Sequence, residues 1–145
     1  ADAAGNLGAG ASLSLTSDVT APTLAITASD TLLAAGEAIT VTFTFSEAPF
    51  GFDASDVTIA GATLTGLAAG NDATVHTATF TQSGPDAPAL SVSNDLYADA
   101  AGNNGLGAAI AFTSDISAPT LIITASDMLL AADEAVAVTT GSPVT

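Results

Sequence analysis

Asp18, Glu47 and Asp99 are the residues of this 145-residue chain whose type and placement suit a binding site. The chain holds 15 carboxylates, no Lys, no Arg and one His, for a formal net charge of −15. Its carboxylates therefore have no basic side chain to pair with, apart from His76 when protonated. Carboxylates gathered without a cation repel one another, and their pKa values rise. A divalent cation removes that penalty. Calcium suits such a set, because it takes six to eight oxygens from carboxylates, carbonyls and water at about 2.3–2.6 Å. Asn103 and neighbouring loop carbonyls would complete the shell around Asp18, Glu47 and Asp99. The competing reading is structural: Glu47 and Asp99 cap turns, and Asp18 is solvated. No Asp-x-Asp-x-Asp-Gly loop of the EF-hand kind is present, and no glycine-rich nonapeptides occur.

Other polar positions carry less chemistry. Asp30 and Asp127 each follow Ala-Ser and read as Asx-turns that end a strand, with a second cation site as the rarer alternative. Gly70-Asn71-Asp72 reads as a tight turn. Asp53 and Asp56 flank another turn and default to solvated surface. His76 shares parity with Ala78 and Phe80, so its ring belongs to the core or its rim. The chain has no cysteine to act as a nucleophile and no lysine to form a Schiff base. Its Ser and Thr residues alternate along strands, as sheet-forming residues do. Small alanine-rich domains also lack the large apolar pocket of most enzymes. A phosphate-loop reading of Gly5, Gly8 and Gly10 fails, because they precede a strand rather than a helix. The expectation is that the protein is not an enzyme.

The elements that must position these residues are strands. Residues 39–46, Ile-Thr-Val-Thr-Phe-Thr-Phe-Ser, alternate apolar and hydroxyl side chains, which is the pattern of a half-buried strand with Ile39, Val41, Phe43 and Phe45 inward. Further strands are predicted over 23–28, 56–60, 62–66, 74–81, 88–94 and 107–113, separated by Gly, Pro, Asn and Asp. Residues 34–37 are predicted as a turn. Thr and Val enrichment and strand lengths of five to eight give an all-β fold, an antiparallel β-sandwich. Its core is predicted to contain Leu24, Ile26, Phe43, Phe45 and Phe80. In a sandwich whose strands alternate up and down, the end of 39–46, the loop 98–103 and the entry segment at Asp18 meet at one pole. That convergence is why Asp18, Glu47 and Asp99 are grouped.

The chain also repeats itself. Residues 1–42 match residues 98–139 without a gap at 29 of 42 positions, an offset of 97. A fixed period marks a tandem array, and this one has the length of a small sandwich domain rather than a solenoid turn. Residues 1–17 then supply the last strand of a preceding copy, and residues 18–114 one complete copy. Residues 115–145 supply the first strand of a following copy and the start of its second. The match ends after Thr139, where Gly-Ser-Pro-Val-Thr replaces the Phe-rich strand. The joints Thr16–Pro22 and Thr113–Pro119 are short and close on proline, which stiffens them relative to Gly/Ser linkers.

Four segments together resemble the bacterial immunoglobulin-like repeats of giant surface adhesins and biofilm-associated proteins. They are Thr-Ala-Pro-Thr-Leu-Ala-Ile-Thr-Ala-Ser-Asp (20–30), Val-Thr-Phe-Thr-Phe-Ser-Glu-Ala-Pro (41–49), Gly-Phe-Asp-Ala-Ser-Asp-Val-Thr (51–58) and Tyr-Ala-Asp-Ala-Ala-Gly-Asn (97–103). The resemblance implies an immunoglobulin-like seven-stranded sandwich in a tandem array, extracellular and held at the bacterial cell surface. It also implies calcium near the joints, which favours the metal reading of Asp18, Glu47, Asp99 and Asn103. The function expected is that of an extender or spacer, with neighbouring repeats, and other copies head-to-tail in a fibre, as its partners. The alternative is a binding module for a glycan or a partner strand, though the chain has no Trp and one Tyr to stack on sugars. Nucleic acid and anionic membrane surfaces are excluded as partners by charge. The positive mean hydropathy comes from small residues, and no apolar run reaches the length of a membrane span.

Overall fold

The computed structural model describes residues 1–142. Chain packing divides into a unit of Ala1–Ser114 and a second unit beginning at Asp115. In the first unit the strands are β1 (Leu24–Ala28), β2 (Leu32–Ala34), β3 (Ala38–Phe45), β4 (Val57–Ala60), β5 (Ala62–Ala69), β6 (Val75–Gln82), β7 (Ala89–Val92) and β8 (Ala108–Ala111), with β9 (Thr113–Asp115) closing it. One sheet runs β1-β3-β6-β5 and a second β4-β7-β8; β2 pairs with β9. The pairings within both larger sheets are antiparallel. This is the all-β antiparallel sandwich that the alternation predicted.

The alternation of β3 is the seed of the core. Ile39, Val41, Phe43 and Phe45 are buried, while the intervening Ala38, Thr40 and Thr44 are exposed. Successive residues of a strand face opposite sides, so a single frame of apolar residues builds one face. Phe80, Leu90, Val92, Tyr97, Phe112 and Leu33 close the same cluster, and Leu24 and Ile26 pack against it. Aromatic rings are segregated within that core. Phe80 stacks on Phe112, with centroids 4.8 Å apart, while Phe45 meets Phe52, His76 and Tyr97 edge-on at 5.0, 5.5 and 4.9 Å. Such pairs add about 0.5–1.5 kcal/mol each beyond their buried area.

Two details depart from the sequence expectations. Leu32–Ala34 is a short strand rather than part of a loop, because β9 offers it a partner and Leu33 fills the core. Residues 54–56 form a 3₁₀ turn, closed by Asp53 and Asp56 in a reciprocal capping box. Residues 1–17, read in the sequence as the last strand of a preceding copy, form no strand and are exposed throughout. The same sequence pattern pairs at β8 and β9, where partner strands exist; an isolated strand leaves its ladder groups to water. In the second unit, β10 (Ile122–Ala125) pairs antiparallel with β11 (Val138–Gly141).

Candidate metal centre

Three turns of backbone carry the site. Glu47 lies two residues past the end of β3. Ser46, between them, is tied to the chain entry: its N–H donates to the Thr23 carbonyl, and its hydroxyl accepts from Thr23 N–H, both at 2.9 Å. Asp99 opens the loop after Tyr97. The Phe50–Ala98 bridge, with N–H to carbonyl distances of 2.7 and 3.1 Å, draws that loop alongside the exit of β3. Asp18 sits in the entry segment, where Thr20 N–H donates to its Oδ1 at 3.0 Å.

The outcome is one cluster. A ligand oxygen from each of Asp18, Glu47 and Asp99 lies within 4.8 Å of the other two. Oxygens on opposite sides of a calcium ion at 2.3–2.6 Å stand about 4.6–5.2 Å apart, so the donor set fits one such ion. The set is graded in burial: Asp18 is exposed, Glu47 half-buried and Asp99 only 3% exposed.

Asn103 holds the cluster in shape. Its Nδ2 donates to Asp99 Oδ2 at 2.8 Å and to the Asp18 carbonyl at 3.2 Å, and its own N–H donates to Asp99 Oδ1 at 2.9 Å. Both neighbours of Nδ2 are acceptors, which determines the direction of the amide. Through Nδ2, Asn103 pins the entry segment to the Asp99 loop across 85 residues of sequence. The side chain of Asn103, helped by backbone N–H groups of the loop, holds the Asp99 carboxyl below its ordinary range against the opposing effect of desolvation. The general expectation of raised carboxyl pKa values thus fails at Asp99, because donors outweigh burial there. Asp99 stays ionised.

Two glycines let the loop close. Gly102 adopts φ 92°, a conformation open to glycine, and donates its N–H to the Asp99 carbonyl at 3.3 Å. Gly105 lies flat on the Tyr97 ring, where any Cβ would overlap ring carbons. Tyr97 is itself buried and donates its hydroxyl to the Leu106 carbonyl at 2.7 Å; burial raises its pKa.

The other candidates stand apart. Asp30 accepts from Thr31 and Leu32 N–H groups at 2.6 and 2.9 Å, and Asp127 from Leu129 N–H at 2.8 Å, as Asx-turns do. Asp72 caps its turn on Thr74. His76 lies at the core rim with Nδ1 buried and unpartnered, and desolvation depresses its pKa. Sequence reasoning missed Ser46 and Phe50 as positioners. Both act through backbone or local bonds, which leave no signature in residue type.

Neither the curated proteins nor the solved structures contain a match to this chain. No helix among the described residues is long and apolar enough to cross a membrane. Bacterial Ig-like domains are generally structural modules rather than enzymes, and commonly occur in surface proteins. The family model for the bacterial Ig-like domain matches residues 18–116, which contain the whole sandwich together with Asp18, Glu47 and Asp99, and the chain belongs to that family.

Proposed function

We propose that residues 18–114 are a spacer repeat of an extracellular bacterial adhesin or biofilm matrix fibre, with calcium bound by Asp18, Glu47 and Asp99 stiffening its joint. One observation carries the reading. An almost fully buried carboxylate, kept ionised by Asn103, shares a 4.8 Å envelope with two others in a chain without Lys or Arg. The cation that neutralises them has to come from solution. Asp18 belongs to the entry segment and Asp99 to the body of the domain, so an ion held by both ties the segment down. Glu47 anchors that tie to β3. Length and stiffness, rather than chemistry on a substrate, are what such a unit supplies. The glycan-binding alternative has less support: among the described residues Phe50 is the one exposed aromatic ring, at 76%.

The test is calorimetric calcium titration of the chain, with small-angle scattering of two copies in tandem. The expected result is one site per complete copy and a larger maximum dimension with calcium than with chelator. No heat and no change in dimension would refute the proposal.

A further inference from the structure

His76 touches the rings that support the carboxylate cluster. On β6 it pairs with Phe43 of β3 and Ala69 of β5, at the end of the sheet where β3 runs out toward Glu47. Its ring stands edge-on to Phe45 at 5.5 Å and to Phe52 at 5.6 Å. Phe45 precedes Glu47 and Phe52 follows it, so both ends of the Glu47 loop pack on this imidazole. Phe45 and Phe52 in turn meet Tyr97, at 4.9 and 6.2 Å, and Asp99 lies just beyond Tyr97 in the chain. His76, Phe45, Phe52 and Tyr97 are therefore one packed block. The segments that carry Glu47 and Asp99 both leave from it.

The block suits a neutral imidazole. Nδ1 is buried, and among the described residues nothing bonds to it. In the charged ring Nδ1 becomes an N–H, here without an acceptor, and burying an unpaired charged donor is costly. No carboxylate on the neighbouring elements offsets that charge. β3, β5 and β6 carry no charged side chain besides His76. In the Phe52 segment, Asp53 is engaged by Ser55 and Asp56 by the Asp53 N–H. Asp72, in the turn before β6, is engaged by Thr74, and Asp99 by Asn103. Glu47 lies past the end of β3 and belongs to the cluster itself. Tyr97 is the other titratable ring of the block, and burial raises its pKa, so it stays neutral. Phenyl faces attract cations, but desolvation sets the direction at His76 and holds its pKa below 6.5.

We propose that His76 is an acid release for the calcium joint: protonation at its buried Nδ1 opens the block formed with Phe45, Phe52 and Tyr97, which slackens the Glu47 loop and the Asp99 hairpin and lets the ion go. The proposal rests on the calcium reading of Asp18, Glu47 and Asp99. It adds a control at milder pH than the cluster's buried carboxylate gives. Asp99 stays ionised in weak acid, because its donors hold its pKa down. His76 is the one side chain here whose ordinary pKa falls between about pH 5 and 8. The sign follows from linkage. The closed, calcium-bound block holds His76 neutral, so calcium and the proton compete. Below the His76 pKa of the calcium-free chain, calcium affinity falls by up to about tenfold per pH unit. Reciprocally, calcium lowers the His76 pKa.

The experiment uses the full chain. Proton NMR follows the His76 ring, which gives one titrating imidazole because the chain has one histidine, with calcium and with chelator. Calorimetric calcium titration from about pH 7.5 down to about pH 4.5 gives Kd for the native chain and for His76→Leu. Tyr97 is the one Tyr in a chain without Trp, so its fluorescence in chelator reports the opening of the block. Calcium should lower the His76 pKa. Across that range the native Kd should rise at least about tenfold more than the variant's. The Tyr97 signal should change as His76 titrates, in the native chain only. A His76 pKa indifferent to bound calcium overturns the proposal and leaves the calcium reading standing. So does an equal rise of Kd in both chains, or a Tyr97 signal that stays flat while His76 titrates. A chain that binds no calcium at about pH 7.5 refutes the calcium reading, and the proposal with it. The NMR comparison needs no substitution, so the answer does not depend on how well the variant folds.

Discussion

Glu47→Gln separates a calcium joint from a merely acidic surface. Among the described residues no hydrogen bond is made to the Glu47 carboxylate, so the change removes charge and leaves the fold of the calcium-free chain as it was. A ligand that binds only the folded state stabilises it by about 2.7 kcal/mol at a hundred times its Kd. Unfolding entropy is about 2.1 cal/mol/K per residue near 60 °C. For one complete copy, roughly a hundred residues, that is about 0.2 kcal/mol/K, so calcium should raise Tm by about 13 °C over chelator. Magnesium should give much less. It demands a near-ideal octahedron at about 2.0–2.1 Å and dehydrates reluctantly. Differential scanning calorimetry of native and Glu47→Gln chains, each with calcium, magnesium or chelator, reads all of this. The variant should melt with the native chain in chelator and lose most of the calcium shift. A variant that kept the full shift would mean the ion sits elsewhere. A native chain without a shift would refute the reasoning from carboxylate geometry altogether.

Three further outcomes follow from the packing. Phe43→Ala removes a fully buried ring that meets Phe52 at 5.5 Å, and should cost about 3–5 kcal/mol in denaturant unfolding, whereas Phe50→Ala at an exposed position should be nearly silent. Gly105→Ala should cost about 1–3 kcal/mol by overpacking Tyr97, and should also weaken calcium binding by displacing the Asp99 loop, read by melting and titration. In chelator, acid should act in two stages. His76 has a folded-state pKa below its ordinary 6.5, so its share of stability is present above that value and is lost as pH falls through the folded pKa; His76→Leu should flatten this stage. Asp53, Asp72 and Asp99 have folded pKa values below 3.8, so their contribution is present above that value and lost at still lower pH, with Asp99→Asn removing part of it.

The period-two pattern of residues 39–45 by itself determined β3, its inward face and, through the spacing of similar runs, an antiparallel sandwich. That inference works because strand geometry is local: side chains alternate whatever the partner. Repetition at 97 residues, and the absence of basic residues, were likewise open to reading without coordinates. So was the grouping of Asp18, Glu47 and Asp99, since it required only which pole each strand end reaches. The direction of the Asn103 amide was not, because it depends on which acceptors lie opposite, and one of them is 85 residues away in sequence. Nor was the lowered pKa of Asp99, which is the balance between burial and donors that only the closed loop supplies. Residues 1–17 make the same point. They share 11 of 17 residues with 98–114, yet only the latter form strands, because a strand is completed by its neighbours and not by its own sequence.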